Sequence, residues 1–108
     1  MNRERLRQIA DGDAGLEREL LLLFRNQHPG EAGLLWAAID AGDFDAAAKA
    51  AHRISGAAGT VAAQDLGMLS ESIGLAARRG EREEMRRARP RLECESRRVT
   101  EYLWGISL

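Results

Sequence analysis

The sequence predicts an all-α fold, an up-and-down antiparallel four-helix bundle with a short additional N-terminal helix. Three observations carry that prediction. Apolar residues recur at three- and four-residue spacing from end to end and nowhere alternate as in a half-buried strand. Turn signals, DGD at 11–13, AGD at 41–43 and RRG at 78–80, break the chain into segments. The connections left between those segments are short, which favours antiparallel neighbours. A chain of 108 residues is the size of a single domain, with one core expected across 1–108.

The first helix is expected over Arg3 to Ala10, burying Leu6 and Ile9 and stopping at the DGD turn. Asp13 is a candidate N-cap for a second helix, whose Leu16, Leu20, Leu23 and Phe24 share one face. Pro29 lacks a backbone donor and restricts the residue before it, so it is expected to interrupt the helix and leave His28 in a loop. The segment from Glu31 to Ala41 then turns Leu34, Leu35, Ala38 and Ile39 inward. Gly42 and Asp43 read as a C-cap followed by an N-cap, starting a helix near Phe44. The next helix spans Gln64 to Arg79 with Leu66, Leu69, Ile73 and Ala76 inward. The last opens on Glu81, Glu83 and Glu84, which suit a helix N-terminus, and carries Met85, Ala88, Leu92, Val99 and Leu103. Pro90 is expected to bend it.

Composition excludes several classes of function. The formal charge is −1, and the longest apolar run, LLLLF at 20–24, falls far short of the roughly 18 residues of a membrane span, so no membrane insertion is expected. The N-terminus lacks the apolar stretch of a secretory signal, and the lone Cys94 cannot form an internal disulfide. A cytoplasmic monomer is the expectation. Nine arginines lie between residues 78 and 98, but five glutamates are interleaved with them, as on a solvated helix face rather than a nucleic-acid site. His28, His52 and Cys94 show no metal-ligand spacing, so no metal site is expected. Cys94 is read as half-buried and inert, and Trp36 and Trp104 as packed against the bundle.

The stretch AAHRISGAAG at 50–59 carries a histidine and then two glycines in a helical context. Each glycine in a helix interior costs about 1 kcal/mol relative to alanine, so clearance near His52 should be worth that cost. At 100° per residue, Phe44, Ala47, Ala51, Ile54 and Ala58 form the core stripe, and His52 lies roughly 150° from it. Asp45, Ala48, Lys49, Ser55, Gly56 and Gly59 fall within roughly 60° of the histidine on either side. A solvent-facing imidazole thus sits on a flat shelf that another protein can approach closely.

The run AHRISGAAGTVAA at 51–63, followed by Leu66 and Leu69, resembles the signature of histidine-containing phosphotransfer (HPt) domains, roughly A-H-x-L-K-G-S-A-G-x-L-G-A-x-x-L-x-x-L. The AGDFD turn before the histidine and the RRG turn after the next helix fit the same layout. The resemblance implies a phosphoryl carrier rather than an independent enzyme. His52 would accept a phosphoryl group from the aspartate of a response-regulator receiver domain and pass it to another receiver. Receiver domains and a hybrid sensor histidine kinase would be the partners, Ala48, Gly56 and Gly59 the docking surface, and Mg²⁺ would belong to the receiver. Imidazole suits the step, because an unperturbed pKa of about 6.5 leaves it largely neutral and nucleophilic near pH 7.

Three positions depart from the family pattern. Ser55 stands where a lysine is usual, Ala57 where a serine is, and Gly74 where a Gln or Glu often bonds the other imidazole nitrogen. Lys49, Arg53 and Arg78 remain as candidate phosphoryl-stabilising cations, Arg78 foremost, with Ser55 a lesser candidate. Ser70 or Glu71 could orient the ring in place of Gly74. The alternative is a helical docking module that binds and regulates a receiver or kinase without carrying phosphate.

Overall fold

Helices begin where a side chain can satisfy the first free backbone amides. In the computed structural model, which describes residues 1–108, the Oδ1 atoms of Asn2, Asp13 and Asp43 accept from the amides of Arg5, Leu16 and Ala46 at 2.9, 3.0 and 3.1 Å. These caps open α1 (Arg3–Ile9), α2 (Ala14–Ala41) and α3 (Phe44–Thr60). Two further helices, α4 (Gln64–Arg78) and α5 (Arg82–Gly105), start without a side-chain cap, although Glu83 and Glu84 complement the positive end of α5. Gly42 ends α2 in the left-handed region at φ 68°, which glycine reaches without a steric penalty.

The long helices pack in chain order, α2 on α3, α3 on α4 and α4 on α5, and α5 closes the ring against α2. The predicted bundle with its short first helix is what forms. A core of 22 buried residues runs through it, with Leu6, Leu21, Leu35, Ile54, Leu66, Ile73, Met85, Leu92 and Leu103 as its largest members. Arg3 fastens α1, donating to Glu17 of α2 at 2.9 Å and to the Tyr102 hydroxyl of α5 at 3.1 Å. Arg89 of α5 bonds Glu93 and Asp40 and lies 5.3 Å over the Trp36 ring, tying α5 to α2. Arg86, Arg87 and Arg98 pair with Glu83, Glu84 and Glu95 one turn away, so much of the arginine-rich stretch of α5 is internally neutralised.

α2 departs from the sequence prediction in three ways. It runs unbroken through Pro29, because Phe24, His28, Ala32 and Leu35 are buried on either side of the proline and their packing holds the helix across one missing bond. Its core stripe is Glu17, Leu21, Phe24, His28, Ala32, Leu35, Ala38 and Ile39, so Leu16, Leu23 and Leu34 are exposed. His28 is therefore no loop residue. It stacks on Phe24 with ring centroids 4.9 Å apart, and its Nε2 lies 2.6 Å from Ser96 Oγ of α5. Three smaller expectations also change: Ile9 is 40% exposed, Trp104 is 60% exposed beneath the Arg25 guanidinium at 4.1 Å, and Cys94 is exposed. α5 passes through Pro90 as α2 passes through Pro29.

Burial lowers the pKa of His28 below its usual 6.5. A histidine kept neutral by the fold contributes fully above the unfolded-chain pKa. Below about pH 6.5 the unfolded chain takes up the proton first, and stability is lost as pH falls towards the lowered folded value. The urea-unfolding free energy should therefore fall more steeply between pH 7 and 5 for the wild type than for His28→Phe, by at most about 1.4 kcal/mol per pH unit. Equal slopes for the two proteins would show that His28 does not carry this effect.

Candidate functional site

α3 has two unlike sides. The inward side is made of Ala47, Ala50, Ala51, Ile54 and Ala58, and four of these five are alanines, which lets α4 approach closely. A Cβ placed on Gly67 of α4 would lie 3.7 Å from that of Ala58, and one on Gly74 would lie 3.4 Å from that of Ala51. The outward side carries Asp45, Lys49, His52, Arg53, Gly56 and Gly59, all exposed.

Side chains on a helix lean towards its N-terminus, so the His52 imidazole leans over the turn that precedes it. There the surface forms an open depression of about 490 Å³, lined by Asp45, Ala48, Lys49, His52 and Arg53 of α3 and by Arg78 at the end of α4. Three cations and one carboxylate thus surround the histidine. Lys49 Nζ is 3.0 Å from Asp45 Oδ2, whereas Arg53 and Arg78 belong to none of the ion pairs of the structure. The Asp45–Lys49 pair is solvent-exposed and hence weak.

The candidates singled out in the sequence divide into two groups around this depression. Ala48, Lys49, His52, Arg53 and Arg78 come together in it, while Ser55, Gly56 and Gly59 lie outside, on the C-terminal side of the imidazole. Ser55 is half-buried and lines no part of the depression, its backbone carbonyl 3.9 Å from the Cβ position of Gly67 in α4. Gly74 is a packing residue of the α3–α4 seam. Neither orienting candidate replaces it: the Ser70 hydroxyl is fully buried and donates to the Leu66 carbonyl at 2.8 Å, and Glu71 is exposed outside the depression. His52 itself makes no side-chain hydrogen bond, the bonded histidine being His28.

One feature beside the site was missed in the sequence. Leu20, Leu23, Phe24, Gln27, His28 and Glu31 of α2 line a small groove against α3, with Leu23 52% exposed and Leu16 40% exposed further along the same helix. The spacing of Leu16, Leu20 and Leu23 is visible in the sequence, where it predicts a core face. LLLLF holds two adjacent apolar stripes, and periodicity alone does not say which one faces inward.

A Cβ on Gly56 or Gly59 would meet nothing within 4 Å. Nothing inside the protein requires those glycines, and a helix interior favours alanine over glycine by about 1 kcal/mol. Gly56→Ala and Gly59→Ala should each raise the unfolding free energy by about 0.5–1 kcal/mol, measured by urea denaturation. A loss of stability in either would show an intramolecular role for the missing side chain.

The model of the Hpt domain family matches residues 19–101, from the first turns of α2 to the last turns of α5. Neither a curated protein nor a solved structure matches the chain. With most of the chain matched and the helical bundle formed, this protein belongs to the Hpt domain family, which serves histidine phosphotransfer in two-component signalling.

Proposed function

We propose that His52 accepts a phosphoryl group from the phosphoaspartate of a receiver domain and passes it to another receiver. The observation that carries this reading is the exposed, unbonded imidazole set in a depression with Lys49, Arg53 and Arg78. In the accepting step the unprotonated ring nitrogen attacks phosphorus in line, an N–P bond forms, the P–O bond breaks, and the aspartate leaves with the electron pair. The other nitrogen keeps its proton, so the product is an N-phosphorylated imidazolium. Handing on is the reverse of this step with a second carboxylate. Transfer of this kind asks for positioning and charge stabilisation more than for covalent chemistry. Arg78 and Arg53, free of acidic partners, are the cations assigned to the transferred oxygens.

A divalent cation is not suited to this chain's depression, where one carboxylate faces three cations. Mg²⁺ is therefore assigned to the receiver. The receiver is proposed to dock over Ala48, Gly56 and Gly59, where the missing side chains let its surface approach, and against the leucines of α2 beside them. A hybrid sensor histidine kinase is the proposed source of the phosphoryl group.

The test is transfer from a panel of receiver domains, each labelled by its kinase with ATP and Mg²⁺. Acid-labile label should appear on the wild type and be absent from His52→Gln, and label persisting on His52→Gln would overturn the assignment. Gly56→Trp should keep the fold and slow transfer by at least about tenfold, as expected where a close approach is blocked. Receiver binding that survives His52→Ala, with no label on the wild type, would identify a docking module instead.

A further inference from the structure

The depression around His52 contains one negative charge, and it is not idle. Asp45 lies two turns before the histidine on α3 and pairs with Lys49, the residue one turn before it. Lys49 can thus reach back to Asp45 or forward to the space over which His52 leans. Both partners are largely exposed, at 68% and 80% for the side chains, so the pair is held by little and exchanges readily. Arg53 and Arg78 have no such competitor. Of the three cations, only Lys49 therefore has its availability set by a second residue.

Building on the assignment of His52 above, we propose that Asp45 is a positioning residue that acts through Lys49, holding it in the unphosphorylated protein and competing for it once His52 carries a phosphoryl group. The phosphorylated form then has two cations at full strength and a third that is shared with a carboxylate. That raises the energy of the phosphohistidine relative to a site with three free cations. The consequence is a carrier that hands its phosphoryl group on instead of storing it. The position usually occupied by lysine one turn after the histidine is Ser55, which lies outside the depression, so the flexible cation of this site comes from the preceding turn and brings its own competitor.

The experiment equilibrates the full chain with one labelled receiver that transfers to it and measures the ratio of phosphohistidine to phosphoaspartate. Asp45→Asn should shift that ratio towards His52 by about 1.4- to 2.3-fold, in line with the strength of an exposed helix ion pair, and 0.5 M NaCl should shrink the shift. Asp45→Glu should return the ratio to the wild-type value. In a Lys49→Gln background the same Asp45→Asn change should have no effect, which a merely structural role or a direct repulsion by Asp45 would not give. An unchanged ratio in Asp45→Asn, or an equal shift with and without Lys49, overturns the proposal while leaving His52 as the carrier. Absence of label on the wild type overturns the assignment of His52 and the role of Asp45 together.

Discussion

The close seam between α3 and α4 is the constraint on which the rest of the arrangement depends. Ala51 and Ala58 on one helix face Gly74 and Gly67 on the other, with Cβ positions 3.4 and 3.7 Å apart. Side chains this small contribute little burial each, but they let two helix backbones approach and fix their rotation. That rotation turns His52 outward and brings Arg78, at the end of α4, to the same depression as Lys49 and Arg53. It also fixes the role of Gly74. A residue that looks in the sequence like a lost ligand of the imidazole is in the structure the contact that sets the helices' spacing.

The two histidines show how burial divides one side chain between two roles. His28 is enclosed against Phe24 and Ser96 and is held neutral by desolvation. His52 stands in solvent among charged side chains. The protein places its glycines accordingly, with Gly56 and Gly59 where nothing inside the fold needs them. Helix propensity is given up on the exposed face of α3, and packing is tight on the face that meets α4.

Packing overrides local preference most clearly in α2. Proline inside a helix is unfavourable by roughly 3 kcal/mol, yet α2 runs through Pro29, because a continuous helix keeps His28 on Ser96 and Leu35 in the core. The bonds of Arg3 to Glu17 and Tyr102, and of Arg89 to Asp40 and Glu93, tie both ends of the pair α2 and α5. The ring is closed by polar clasps at its ends and by apolar residues such as Leu21, Leu92 and Leu103 between them.

Helix periodicity, the caps Asp13, Gly42 and Asp43, and the run at 51–63 made the bundle and the outward direction of His52 legible in the sequence, because each is a property of one helix at a time. The sequence resemblance also singled out the residues to look at, and Ala48, Lys49, Arg53 and Arg78 do gather round the histidine. What it could not show depends on pairs of helices. Which of two leucine stripes in α2 is buried, whether a helix survives Pro29, that Gly67 and Gly74 of α4 pack on the alanines of α3, and that Arg78 reaches the depression around His52 are decided by the neighbour each face meets. One-dimensional spacing fixes the angle of a side chain about its own helix, while the rotation of that helix against the next is set by the summed fit of many small contacts, and only the tertiary structure contains them.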